Sequence, residues 1–310
     1  MSANSIRAVC IVVTALASVS APAQNQRKPV TFSAASFVTN SRLVLVPVTV
    51  IDRRGAFVNG LGREAFTITE DGVPQQIWSF SEDDAPVSIG IVFDLSGSMK
   101  SSLDVAKASL RALLKDANPV DEAFIDTVST RPGTRSGFTN ELDKIVSGVA
   151  GARADGDTAL IDTIVNGLTK MRSARHGRKA LIVVSDGMDN HSRHSREELF
   201  RRAVESDAQV YTISMNCPGP NRKPIELQEE TRGLLLLDEL AVKTGGFSVV
   251  VRNAGETENA AGRIGRALRN QYSIGYSPLT ADPAGKWRRI RVTVTGTGLK
   301  AYARLGYRLD

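Results

Sequence analysis

Five oxygen-bearing residues carry the most specific chemistry in this chain. Asp94, Ser96 and Ser98 alternate in the string Ile-Val-Phe-Asp-Leu-Ser-Gly-Ser-Met, residues 91–99. Thr158 sits in Asp-Gly-Asp-Thr-Ala-Leu, and Asp186 ends Leu-Ile-Val-Val-Ser-Asp. Where a strand turns into a helix, alternate side chains can converge on one point. Carboxylates and hydroxyls are hard oxygen donors, the kind a magnesium ion takes in its octahedral shell. The Asp-x-Ser-x-Ser spacing alone is weak, since it recurs by chance in about one chain in ten of this length. Ser96 or Ser98 could equally cap a helix by accepting from free backbone amides. Context strengthens the metal reading. Each of the three segments stands at the end of an apolar run or the start of a helix, the edge where doubly wound sheets bind ligands.

The elements that must position these residues are legible around them. Val87–Phe93 and Ala180–Val184 are short apolar runs, as expected of strands buried on both faces. Leu103, Ala106, Leu110 and Leu113 follow at helical spacing. Phe124–Val128, Val210–Ser214 and Phe247–Val251 read as further strands. Residues 142–149, 160–171, 197–204, 234–241 and 260–268 read as helices. Strands alternating with helices predict an α/β fold, a doubly wound and mostly parallel sheet with helices on both faces. Both ends of the chain are β-rich instead. Leu43–Ile51 reads as a strand, with Pro47 marking a bulge or an edge. Phe66–Glu70, a turn at Asp71-Gly72 and Ile77–Phe80 read as a hairpin. After Gln271–Tyr276, the residues Ile290, Val292 and Val294 alternate with polar ones, and Leu299–Tyr307 returns after Gly-Thr-Gly. Neither end has enough strands to be stable alone, so the two are expected to pair into one small antiparallel β domain. The expected organisation is a signal peptide at 1–23, a linker at 24–40, an N-terminal β segment at 41–84, an α/β domain at 85–270 and a C-terminal β segment at 271–310.

With the motif placed, the chain resembles the von Willebrand factor type A family. Asp94-x-Ser96-x-Ser98, then Thr158, then Asp186 in Ser-Asp-Gly is similar to that family's metal-ion-dependent adhesion site, with all five positions filled in order. The likeness runs over residues 85–270. The flanks resemble a largely uncharacterised bacterial subfamily, through the Glu-Asp-Gly turn in 58–80 and the tail 272–307. The resemblance implies a Rossmann-like α/β fold and a bound divalent cation, Mg2+ or else Mn2+ or Ca2+. Ser96 and Ser98 would be direct ligands. Thr158 would bind directly in a ligand-engaged state and through water otherwise. Asp94 and Asp186 would act mostly through water, or one of them directly. A protein partner would supply an Asp or Glu to the remaining position, with no reaction catalysed.

Other chemistries fit less well. His191 and His194 could bind zinc, but no third ligand is evident. Ser96, His191 and Asp186 include the residue types of a hydrolytic triad, yet Asp94 stands where the nucleophile elbow needs its first glycine. Ser96 occupies the place of the second acid a phosphatase-like Asp94 would need. No Walker loop is present. A scaffold-docked assembly factor of the envelope is the main alternative function, and a metal- or serine-dependent hydrolase a lesser one. The 39 basic against 33 acidic residues are spread along the chain, without the basic-aromatic interleaving of a nucleic-acid surface. Arg7, the apolar stretch 8–19 and Ala21-Pro22-Ala23 predict an export signal cleaved before Gln24, with no membrane span remaining, hence a periplasmic or secreted protein. Cys10 would leave with the signal, so Cys217 would have no disulfide partner.

Overall fold

The computed structural model describes residues 43–115, 117–217, 224–278 and 285–308. The expected signal segment, its cleavage site, Cys10 and the linker lie outside the described residues. In chain order the strands are β1 (Val44–Ile51), β2 (Phe66–Glu70), β3 (Val73–Gln75), β4 (Ile77–Ser81), β5 (Val87–Asp94), β6 (Glu122–Val128), β7 (Gly133–Thr139), β8 (Arg178–Ser185), β9 (Gln209–Met215), β10 (Ser248–Val251), β11 (Tyr272–Tyr276), β12 (Trp287–Val294), β13 (Lys300–Tyr302) and β14 (Gly306–Arg308). The α-helices are α1 (Leu103–Leu114), α2 (Leu142–Ala150), α3 (Leu160–Lys170), α4 (Arg196–Glu205), α5 (Pro224–Thr244) and α6 (Thr257–Arg269).

The central sheet runs β10-β9-β8-β5-β6-β7 and is parallel except for β7. Every residue of β5 is buried, which explains why its sequence is apolar without alternation. Ile89, Ile91 and Phe93 face a core shared with α1, α2 and α6, whereas Val92 faces one shared with α3, α4 and α5. From β5 the chain first steps outward to β6 and β7, then returns to β8 on the other side of β5. The strand order thus reverses between β5 and β8, so their carboxyl ends flank a crevice.

The two ends of the chain pair with each other. One antiparallel sheet runs β13-β1-β11-β4 and a second runs β14-β12-β2-β3. Val46, Val48, Ile68, Tyr272, Ile274 and Ile290 share the core between them. Three local expectations change. The hairpin after Glu70 closes on β3, through Asp71 and Gly72 at positive φ, and β4 departs to pair with β11 in the other sheet. The return after Gly298 is split into β13 and β14, which join different sheets. Pro47 lies inside the sheet, but only β11 pairs with β1 at that position, because β13 begins its pairing at Thr49. Its missing donor therefore costs no ladder bond.

Candidate functional site

The first two carboxylates come from neighbouring strands. Asp94 ends β5 and Ser185 ends β8, one step beyond the register pair Phe93 and Val184. Asp94 is fully buried. Its Oδ1 accepts from the Ser96 backbone N–H at 2.9 Å, and its Oδ2 accepts from the Ser185 hydroxyl at 2.6 Å. Ser185 Oγ in turn accepts from the Gly187 N–H at 2.9 Å. Asp186 follows and takes the Met188 N–H on Oδ1 at 3.1 Å.

The serines connect these acids. Ser96 Oγ and Ser98 Oγ are 3.1 Å apart, and Ser98 lines the same cavity as Asp186. Neither serine caps a helix with its side chain, which removes the competing use of the motif. Thr158, also buried, arrives on a third loop held by main-chain bonds. Gly97 N–H donates to Gly156 O at 2.9 Å and Asp155 N–H to Leu95 O at 2.8 Å. On the other side, the Thr158 N–H donates to Asn190 Oδ1 at 2.8 Å, and the Asn190 and His191 N–H groups both donate to Thr158 O at 3.0 Å. The three loops are thereby fastened to one another. Asp94, Ser96 and Ser98 form one hydrogen-bonded network, Asp186 adjoins it as the residue after Ser185, and Thr158 is tied in through its backbone.

Electrostatically the site is unbalanced. Burial, and then the charge of Asp186, push the Asp94 carboxyl up to about 7. Burial also raises Asp186; hydrogen bonds from Ser98 and the Met188 N–H offset part of that, and the charge of Glu230 adds to it. No Lys, Arg or His among the described residues forms an ion pair with Asp94 or Asp186. Two buried acids with a third close by and no basic partner among the described residues favour either a proton or a cation. No cluster of three His, Cys, Asp or Glu ligands exists among the described residues. A cation at this site would therefore depend on the serine and threonine hydroxyls, a donor set that fits a hard, oxygen-seeking ion and not zinc.

Glu230 is the residue the sequence did not reveal. It is buried on α5 and shares a cavity of about 270 Å³ with Ser98, Ser102, Asp186 and Met215. The sequence pattern predicts a helix over 234–241 only, yet α5 begins ten residues earlier, at Pro224. Its approach depends on glycine. Gly187, at φ +83°, packs backbone to backbone on Gly233, where a Cβ on either would come within 2.5 Å of the other's carbonyl carbon. That contact sits one helical turn from Glu230 and seats the helix on the Asp186 loop.

The polar stretch after Asp186 also has a defined use. Asp189 Oδ1 accepts from Ile161 N–H at 3.2 Å and Ser192 Oγ from Asp162 N–H at 3.0 Å, so this loop caps α3 from a distance. The helix that follows, α4, is capped by Ser195 instead. The two histidines diverge. His194 Nδ1 is 2.7 Å from Asp162, whereas His191 Nδ1 lies 3.7 Å from Asp157. Ser96 makes no hydrogen bond to a histidine among the described residues, so the side chains of a Ser-His-Asp relay are not assembled.

The order of these elements, with loops gathered at the carboxyl ends of a mostly parallel sheet, defines a doubly wound α/β protein. More specifically, the chain has the von Willebrand factor type A fold. It is similar to a von Willebrand factor type A structure from Catenulispora acidiphila, with a TM-score of 0.50 at 10% identity over 88% of this chain and 75% of that one. An aerotolerance-related membrane protein from Bacteroides fragilis gives 0.48 at 16% identity, over 59% of this chain and 98% of that one. The von Willebrand domain of a type V pilus tip protein from Porphyromonas gingivalis gives 0.46 at 12%, over 60% and 95%. No family model and no curated protein matches the sequence.

Proposed function

We propose that this chain is an exported, non-enzymatic protein-binding module. Asp94, Ser96, Ser98, Thr158 and Asp186 hold a divalent cation, Mg2+ or its Mn2+ or Ca2+ substitutes, and the partner contributes an Asp or Glu. The observation that carries the reading is the Ser96–Ser98 hydroxyl pair, 3.1 Å apart, set against two buried acids that have no basic partner among the described residues. Bound there, the ion supplies a concentrated positive charge. Neutral hydroxyls leave much of that charge unspent, so an incoming carboxylate gains strongly. Ser96 and Ser98 offer the direct contacts, Asp94 orients the Ser96 loop through its N–H, and Ser185 fixes Asp94. Among the described residues no helix is long and apolar enough to cross a membrane. Export rests on the sequence of residues 1–23.

Calorimetry with Mg2+ and Mn2+ tests the site. Saturable binding is expected, and is expected to disappear in Asp94→Ala and in the double substitution Ser96→Ala with Ser98→Ala. Binding that survives both would end the metal reading. Ester or phosphate turnover lost in Ser96→Ala would instead favour a hydrolase.

A further inference from the structure

The central sheet ends at β10, and no strand pairs with its outer side among the described residues. Phe247 O and Val251 O accept from Thr212 and Asn216 on the β9 side. Backbone direction alternates every second residue in such a strand, so Ser248 and Val250 turn their N–H and C=O groups outward. These groups line an open groove of about 970 Å³, bounded by α6 and by the turn carrying Arg54 and Phe57. An open row of donors and acceptors is a template for one more strand.

The groove is also strongly basic. Arg54, Arg263 and Arg266 line it without a carboxylate partner among the described residues, and its one acid, Glu256, is taken by the Arg252 N–H at 2.9 Å. Arg263 stacks over Phe247 at 5.3 Å, and its buried Nε has no hydrogen-bond acceptor. The wall supplies apolar contact as well, through Phe57 and Val249.

We infer that this groove is a second binding site, which takes an extended acidic peptide segment of a partner as an added strand on β10. Main-chain bonds to Ser248 and Val250 would give affinity, and the arginines would select carboxylate side chains beside them. A polysaccharide could not reproduce the alternating amide ladder. The site is independent of the cation at Asp94 and Asp186.

The test uses a short peptide of alternating valine and aspartate, titrated into the protein in EDTA at low salt. Binding is expected, at least tenfold weaker with Arg54→Glu plus Arg266→Glu, and at least tenfold weaker with Val250→Pro, which removes an outward N–H and leaves the β9 bonds in place. Peptides N-methylated at every second residue probe the unaltered protein, whatever the variants do to folding. Methylation in one phase should abolish binding, and in the other phase spare it. Equal binding of both methylated peptides would overturn the added strand. So would binding of a sulfated polysaccharide in place of the peptide.

Discussion

Two buried acid sites in this chain are built on opposite principles. In the antiparallel sheets Glu70 is 3% exposed, yet it is fully answered. Arg288 Nη1 donates to it at 2.5 Å, Tyr276 OH at 2.6 Å and Tyr307 OH at 2.8 Å. The two phenols pay for that closeness in acidity. Burial, and then the hydrogen bond to Glu70, raise Tyr276 well above the ordinary range and push Tyr307 up to about 12. At Asp94 and Asp186 the donors are hydroxyls and amides alone, and further acids make matters worse: the charge of Asp186 raises Asp94, and that of Glu230 raises Asp186. A buried carboxylate with its own cation closes a structure. A pair without one keeps a demand that an ion from solution can meet.

The largest expected effect strikes the closed site. Glu70→Gln removes the buried negative charge that pairs with the guanidinium of Arg288, itself 2% exposed, and should cost about 3–5 kcal/mol in urea unfolding, with or without Mg2+. A loss below about 1 kcal/mol would dissolve the contrast between the sites. Next comes the open site. Folded Asp94 keeps its proton up to about pH 7, whereas an unperturbed carboxyl releases it near 3.8. Between those values the folded state binds more protons, so metal-free stability due to Asp94 falls as pH rises, and the cost is complete above pH 7. A saturating divalent ion, at one hundred times its Kd, should return about 2.7 kcal/mol. At one fixed Mg2+ concentration, the proton on Asp94 competes with the ion at pH 5, so the thermal shift should be larger at pH 8 than at pH 5, and Asp94→Asn should flatten the dependence. A shift of equal size at both pH values would contradict it. The smallest effect concerns Glu230→Gln. Removing a negative charge beside Asp186 should weaken Mg2+ binding several-fold, equivalent to about 1 kcal/mol, with little change in fold. Unchanged affinity in calorimetry would place Glu230 outside the ion's field.

Much of this was legible in the sequence because the α/β core announces itself. Strands β5 and β8 are apolar runs, and α1 keeps its helical spacing, so the edge holding Asp94 and Asp186 followed directly. The misses have local causes. Strand β7, Gly-Thr-Arg-Ser-Gly-Phe-Thr, is an edge strand with little buried surface, so it carries no apolar signal. The first turns of α5 are polar, which hid the helix bearing Glu230. Arg288 was visible in retrospect, because it shares the inward phase of Ile290 while Arg289 and Arg291 point out. A charge on an inward phase is legible only once its acid, 218 residues away in sequence, is known.

The contact between Gly187 and Gly233 has a mechanical consequence. With main chain resting on main chain, there is no side chain between them to yield or rotate. A displacement of the loop after Asp186 would therefore press main chain on main chain against the 21-residue α5, with no side chain between to absorb it.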